Sequence, residues 1–356
     1  MVHAVIALVL AVATVVNAEQ TEKPLQVLKA PLTWRDFEME MVLLVAFGLY
    51  VLAWYQGKKS NTEIAKKWVA MNVGYLEEQF ALVGSKVGSA RSILIQDGPA
   101  DFLLYVSGRR NVEFGHWWIK LKPRNDMLNF GITKVLSMFQ LANNPTDRVV
   151  LDITLDKAIS DRFVFAILPQ ADSKAIHERR YDLKTMTKLA QSDLPSKMVV
   201  YSESQKLADV LIAKIGPIIR NSPGFDSLII SSMPAIEPEK FEGETGLVLS
   251  MTFGIVLDKT DPLVELACEL PDVISQLQLT ADIKATLRKN RESLEKQVAK
   301  RLAEERAEEL VRKKAEAKRA EEERVKTLSP AEQRKWEEKE RAREAKRAQK
   351  KRTKRG

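Results

Sequence analysis

Hydropathy divides the chain into an apolar amino end, a mixed middle and a polar carboxyl end. Residues 4–16, AVIALVLAVATVV, are an uncharged apolar run of 13, short of the roughly 20 residues that a spanning helix needs. Asn17 and the charged Glu19 follow, with Val16 and Ala18 at the −3 and −1 positions of a cleavage site. This predicts a secretory signal peptide over 1–18, although Met1-Val2-His3 brings no Lys or Arg. A second apolar run, MVLLVAFGLYVLAWY, occupies 41–55. A short buried core helix would read similarly, but no polar face interrupts the run, and Trp34, Phe37, Trp54 and Tyr55 flank it as interfacial aromatics do. Extended through Met39, it predicts a transmembrane helix over 39–56, built on Met41, Leu44, Phe47, Leu49, Leu52, Trp54 and Tyr55.

From 57 to 279 the pattern switches between periods of 3.6 and 2. Ser60-Asn61-Thr62-Glu63 reads as a capping box opening a helix with Ile64, Trp68, Met71, Tyr75, Leu76 and Phe80 inward. FLLYVS (102–107) and VEFGHWWIKL (112–121) flank the turn Gly108-Arg109-Arg110-Asn111 and predict a hairpin. Asp126 should cap a helix carrying Met127, Phe130, Val135, Met138 and Phe139. VVLDITL (149–155) and RFVFAIL (162–168) read as a second strand pair, followed by a short helix over Ser173–Tyr181. KMVVYS (197–202), DSLIISS (226–232) and GLVLSMTFGI (246–255) read as strands. Ser202-Glu203-Ser204-Gln205 should cap a helix weakened at Gly216-Pro217, and Pro262–Leu279 reads as a helix interrupted at Pro271. Paired strands imply an α+β domain with antiparallel pairing.

The last segment, 280–356, is polar and helical. Leu287, Leu294, Val298 and Leu302 recur at spacings of seven, four and four, a narrow stripe suited to a partner helix or to packing on the body. It fades after Leu310 and Val311, so an extended self-associating coiled coil is not expected. Pairs such as Glu292 with Lys296 and Glu308 with Arg312 support a solvated, coiled-coil-like helix. Some 50 helical residues would reach about 75 Å. Ser329-Pro330-Ala331-Glu332 reads as a helix restart.

Charge sharpens this division. The net charge is +8 over 356 residues, yet residues 284–356 hold 27 Lys and Arg against 15 Asp and Glu, leaving a body of net −4. The last stretch, 341–356, carries Arg341, Arg343, Lys346, Arg347, Lys350, Lys351, Arg352, Lys354 and Arg355 against the single acid Glu344. Such a cluster suits phosphate, with nucleic acid favoured over anionic lipid headgroups or a solvated tail. Between Glu19 and Glu40 lie five acids and three bases, whereas Lys58, Lys59, Lys66 and Lys67 follow the span with only Glu63. The positive-inside rule then predicts a single-pass type I protein, with 19–38 lumenal and the body cytosolic. One cysteine, Cys268, excludes an intramolecular disulfide framework and fits a reducing compartment.

Catalytic chemistry finds no foothold in this pattern. Gly84-Ser85-Lys86 lacks the earlier glycine of a phosphate-binding loop, and neither G-x-S-x-G nor H-E-x-x-H occurs. His116 reads as a structural residue beside Trp117 and Trp118, His177 lies on a charged helix face, and Cys268 reads as core. The expectation is a non-enzymatic protein without a cofactor.

Several segments resemble a known family. FALVG (80–84), YVSGRR (105–110), NDMLNF (125–130), DRFVFAI (161–167), DLPSKMVVYSES (193–204) and LSPAEQRKWEEKE (328–340) occur in the order and spacing of the calumin, or coiled-coil domain-containing protein 47, family of the endoplasmic reticulum. The resemblance runs from about Trp34 to the carboxyl end. It implies a role in multi-pass membrane-protein biogenesis at the ribosome-bound translocon, as an intramembrane chaperone that shields nascent spans with a small multi-span partner, Asterix. It also implies a tail near ribosomal RNA at the tunnel exit and a link to calcium homeostasis. Animal members carry a long acidic lumenal segment, which this chain lacks between 19 and 40. The short segment suggests a fungal-type member and weakens the case for calcium binding by clustered carboxylates.

Overall fold

The structure is a computed structural model that describes residues 34–87, 90–139, 144–159, 161–238, 246–258, 261–326 and parts of 333–346. The expected signal peptide over 1–18, most of the expected lumenal segment 19–38 and the expected restart at Ser329–Glu332 lie outside these residues. The chain divides into two units, 1–56 and 57–356.

In the first unit, a 3-10 turn over Trp34–Phe37 leads into helix α1, Glu38–Gln79. Its apolar part exposes Met41, Leu44, Phe47, Leu49, Leu52, Trp54 and Tyr55. This is the one helix among the described residues long and apolar enough to cross a membrane, and none of its apolar window is buried. A core helix would bury at least one face. An apolar stretch exposed on every side marks α1 as a candidate membrane span.

The expected helix start at Ser60 does not occur, because α1 continues unbroken through it. Thr62 returns its hydroxyl to the Lys58 carbonyl, a bond made within a helix. Asn61 is fully buried and donates to the Pro99 and Lys122 carbonyls at 3.2 and 3.1 Å. Asn61, inside a run that reads as a cap, is a tertiary anchor.

The second unit continues with β1 (Leu82–Val83), β2 (Ser85–Val87), β3 (Ala90–Ser92), β4 (Ile95–Gln96), β5 (Asp101–Ser107) and β6 (Val112–Lys120). Helix α2 (Met127–Met138), β7 (Arg148–Leu155), β8 (Val164–Pro169), α3 (Ser173–Arg179), α4 (Tyr181–Met186), β9 (Lys188–Ala190) and β10 (Met198–Ser202) follow. Then come α5 (Gln205–Arg220), β11 (Phe225–Ser231), β12 (Val248–Gly254), α6 (Pro262–Ser275) and α7 (Ala281–Lys326). Ten strands form one antiparallel sheet in the order β1-β5-β6-β7-β12-β11-β8-β10-β9, with β4 also on β5; β2 and β3 make a separate ribbon.

The predicted β5–β6 hairpin is present, and β11 pairs antiparallel with β12. The predicted pairing of 149–155 with 162–168 is not: β7 lies between β6 and β12, and β8 between β11 and β10. Burial explains the choice. Strand β7 alternates buried and half-exposed positions, as do β5 and β12, whereas β8 is buried at five consecutive residues. A strand covered on both faces belongs deep in the sheet, and one wet on one face belongs with others of its kind.

One sheet face holds the larger core, where Trp68 of α1 meets Trp117 of β6 with ring centroids 6.1 Å apart. The other face is covered around β8 by a smaller cluster that includes Leu183, Met186, Tyr201, Leu294 and Val298. Helices α5 and α6 run through Pro217 and Pro271, where a weakened end and an interruption were expected. Their buried faces hold those turns in place, tertiary packing overriding local propensity.

Candidate functional site

The basic arm grows out of α7, and its first turns belong to the body. Leu287, Leu294 and Val298 are buried, and Leu302 packs against the smaller core. The heptad-like stripe is thus spent on the body rather than on a partner helix. A polar lock fixes this root. Arg291 reaches Glu203 through both terminal nitrogens, at 2.8 and 3.1 Å, and Ser232 Oγ at 3.2 Å. The Glu203 carboxylate also accepts the Val164 backbone N–H at 2.7 Å, and its side chain is fully buried. Burial pushes the Glu203 carboxyl above its usual range, opposed by Arg291, the Val164 N–H and Asn290. Glu203 was expected within a helix cap. Ser204 is the N-cap of α5 but makes no side-chain cap bond, which leaves Glu203 to tie β8, α5 and α7 together.

Beyond Leu302 the helix is exposed, and 24 residues remain before α7 ends at Lys326, about 36 Å of helix. Residues 303–326 hold eight acids and eight bases. Pairing along α7 is at i,i+4, but Glu292 joins Arg288 and Arg312 joins Glu316, not the expected Lys296 and Glu308. Gln333 Nε2 donates to the Val325 carbonyl at 3.1 Å and Trp336 Nε1 to Glu321 at 3.4 Å, so these two residues lie beside the end of α7. The straight reach of 75 Å is therefore not attained. Of the nine basic candidates, Arg341, Arg343 and Lys346 are helical and exposed. Arg347, Lys350, Lys351, Arg352, Lys354 and Arg355 lie outside the described residues.

A second constellation surrounds the hairpin turn of YVSGRR. Gly108 (φ 80°) and Asn111 (φ 65°) take left-handed backbone. Arg109 bonds Gln79 at the end of α1, meets Asp272 at 2.6 Å and lies 5.8 Å over the Phe80 ring. Asn111 shares Asp272 at 2.8 Å. This joins three elements and lines an open cleft of about 600 Å³ with residues including Ser275 and Gln276, but Arg109 and Asp272 are spent on each other. Sequence reasoning passed over Asp272 because nothing local marks it.

The third junction lies where α1 enters the body. A Cβ on Gly57 would sit 2.2 Å from the Arg124 carbonyl oxygen, so only glycine admits this approach. Arg124 holds Asp147 through two bonds of 2.8 and 2.6 Å and donates to Asn61 at 3.1 Å. Burial raises the Asp147 carboxyl, but Arg124 and the Lys122 N–H outweigh it and hold it below the ordinary carboxylate range. Gly57→Ala is expected to lower stability by about 1–3 kcal/mol through overpacking. Gly74→Ala, with nothing within 4 Å, should raise it by about 0.5–1 kcal/mol. Thermal unfolding of both variants in detergent checks the pair.

Residues weighed for catalysis have structural settings. His116 lies between the Tyr105 and Phe114 rings, at 5.6 and 5.3 Å. His177 is half-buried and stacks on Tyr201 at 4.4 Å, not on an open charged face. Burial pushes the Cys268 thiol up to about 12. Gly84-Ser85-Lys86 leads into β2 rather than a helix. Among the described residues, no group of three or more His, Cys, Asp or Glu is placed to hold a metal.

The profile of the PAT complex subunit CCDC47 family matches residues 36–347. The chain belongs to this family. It is 32% identical over 220 residues to the "UPF0674 endoplasmic reticulum membrane protein C2G5.01" of Schizosaccharomyces pombe, covering 58% of this chain and 57% of that protein. It is 25% identical over 298 residues to the PAT complex subunit CCDC47 of Danio rerio, covering 75% of this chain and 59% of that protein. The human protein of that name is 22% identical over 209 residues, covering 54% and 41%. The chain thus spans less than two thirds of the length of the relatives it matches. In family terms, the quoted motifs are mostly framework: YVSGRR makes the Arg109 clamp, NDMLNF caps α2 through Asp126, and DLPSKMVVYSES supplies Glu203.

Proposed function

We propose that the chain is a non-enzymatic endoplasmic reticulum membrane protein of multi-pass membrane-protein biogenesis, which holds a basic helical arm against ribosomal RNA. Family membership supports the biogenesis role, and the relatives' names support the membrane. The observation that carries the ribosome reading is the arm itself. A helix locked to the body by Glu203 and Arg291 leads through a neutral stretch to a terminal cluster of nine bases. A spanning helix would hold the body at the membrane, and the basic flank Lys58–Lys67 supports a cytosolic body, where ribosomes dock. The partners are an Asterix-like small membrane protein, translocon components and nascent multi-pass chains. Purification of the tagged full chain from native membranes in mild detergent tests this reading. Ribosomal subunits and a small multi-span protein should co-purify. Recovery of the folded chain without either would overturn it.

A further inference from the structure

Helix α2 is built the wrong way round for a soluble protein. On a period of 3.6, Met127, Leu128, Ile132, Val135, Leu136 and Met138 share one half of the helix, and Asn129, Phe130, Thr133, Lys134 and Ser137 share the other. All of the apolar half but Val135 faces outward. Leu128, Ile132 and Met138 are 65%, 60% and 75% exposed, Phe139 is exposed just beyond, and no residue of α2 is buried. Phe130, Thr133, Val135 and Ser137 are the half-buried positions. Asp126 caps the helix by accepting the Asn129 N–H at 2.9 Å, so the helix is specified locally without the apolar packing that normally sustains one.

Its root identifies what covers that face. Arg124 and Asn125, two residues before the helix, press on Gly57, and Gly57 follows the predicted span of 39–56 directly in the chain. Chain connectivity therefore puts the start of α2 at the bilayer boundary. Twelve residues make about 18 Å of helix, too short to cross a hydrocarbon core of about 30 Å. Lys58, Lys59 and Lys134 add positive charge at this level, as interfacial helices carry. We propose that α2 lies in the cytosolic lipid interface, with its Leu128, Ile132 and Met138 face in the acyl boundary, as a second membrane contact beside the span. The inference rests on reading 39–56 as a span.

The test uses the full chain, purified alone and reconstituted in nanodiscs. An environment-sensitive fluorophore is attached through a thiol at Leu128→Cys, Ile132→Cys or Met138→Cys. Buried Cys268 stays unlabelled under native conditions, because its thiol is pushed up to about 12. Probes at Leu49→Cys, in the span, and at exposed Ala213→Cys, on α5, serve as references. Lipids with a shallow acyl-chain quencher should remove most of the emission at 128, 132 and 138, while aqueous iodide leaves it largely intact. Quenching at these positions by iodide and not by lipid would overturn the proposal, as would shielding from both, which would assign the face to a protein or a second copy. Iodide quenching at Leu49 would instead defeat the span reading, so the two failures are distinguishable.

Discussion

Replacing Glu203 with alanine is expected to cost about 3–5 kcal/mol and to loosen the root of the arm. The carboxylate is fully buried, and its partner Arg291 is only 16% exposed. Alanine leaves a buried guanidinium facing a void, and it strips the Val164 N–H of its acceptor, a loss that adds to the cost. Glu203→Gln keeps an acceptor for Val164 but loses the charge, so it should fall between wild type and alanine. Replacing both partners, Glu203→Leu with Arg291→Met, should recover much of the loss, because well-packed apolar groups bear no desolvation cost. Urea unfolding of the full chain in detergent gives the stability, and hydrogen exchange over 281–302 gives the local effect. Protection of that segment unchanged in Glu203→Ala would show that Leu287, Leu294 and Val298 hold the root without the ion pair.

Legibility followed the range of the interactions involved. The span, the β5–β6 hairpin and the Asp126 cap depend on neighbours in sequence and were readable from pattern and turn chemistry. The order of the sheet was not. Strands β7 and β8 are adjacent in sequence, but β12 and β11 lie between them, and what separates them is whether one or both faces are covered. The same blindness turned Asn61 and Glu203 into caps. Each sits in a string of Ser, Thr, Glu and Gln that satisfies the local rule, yet each spends its side chain on partners tens of residues away. For α2 the sequence showed the cap and the apolar residues but not the direction they face. That direction separates a core helix from one facing outward.

The arm changed most between sequence and structure. Its charge sits at the two ends, in the body-bound root and in the terminal cluster, and the stretch between is neutral and paired along α7. The stretch is a spacer, stiffened by i,i+4 pairs that contribute a few tenths of a kcal/mol each. Binding strength and salt dependence should therefore reside in residues 341–356. Nine bases contacting phosphates would make affinity fall by about 10³-fold or more between 50 and 200 mM salt. Because the root is anchored elsewhere, removing the cluster should leave the body folded.

Sedimentation of the detergent-solubilised chain with ribosomes, compared with a chain ending at Glu340, measures this directly across that salt range. The full chain should co-sediment at low salt and be released steeply as salt rises. The shortened chain, with unchanged unfolding, should bind weakly and respond little to salt. Equal binding by the two chains, or binding by the full chain that ignores salt, would contradict a membrane-held arm that grips ribosomal RNA through its basic tip.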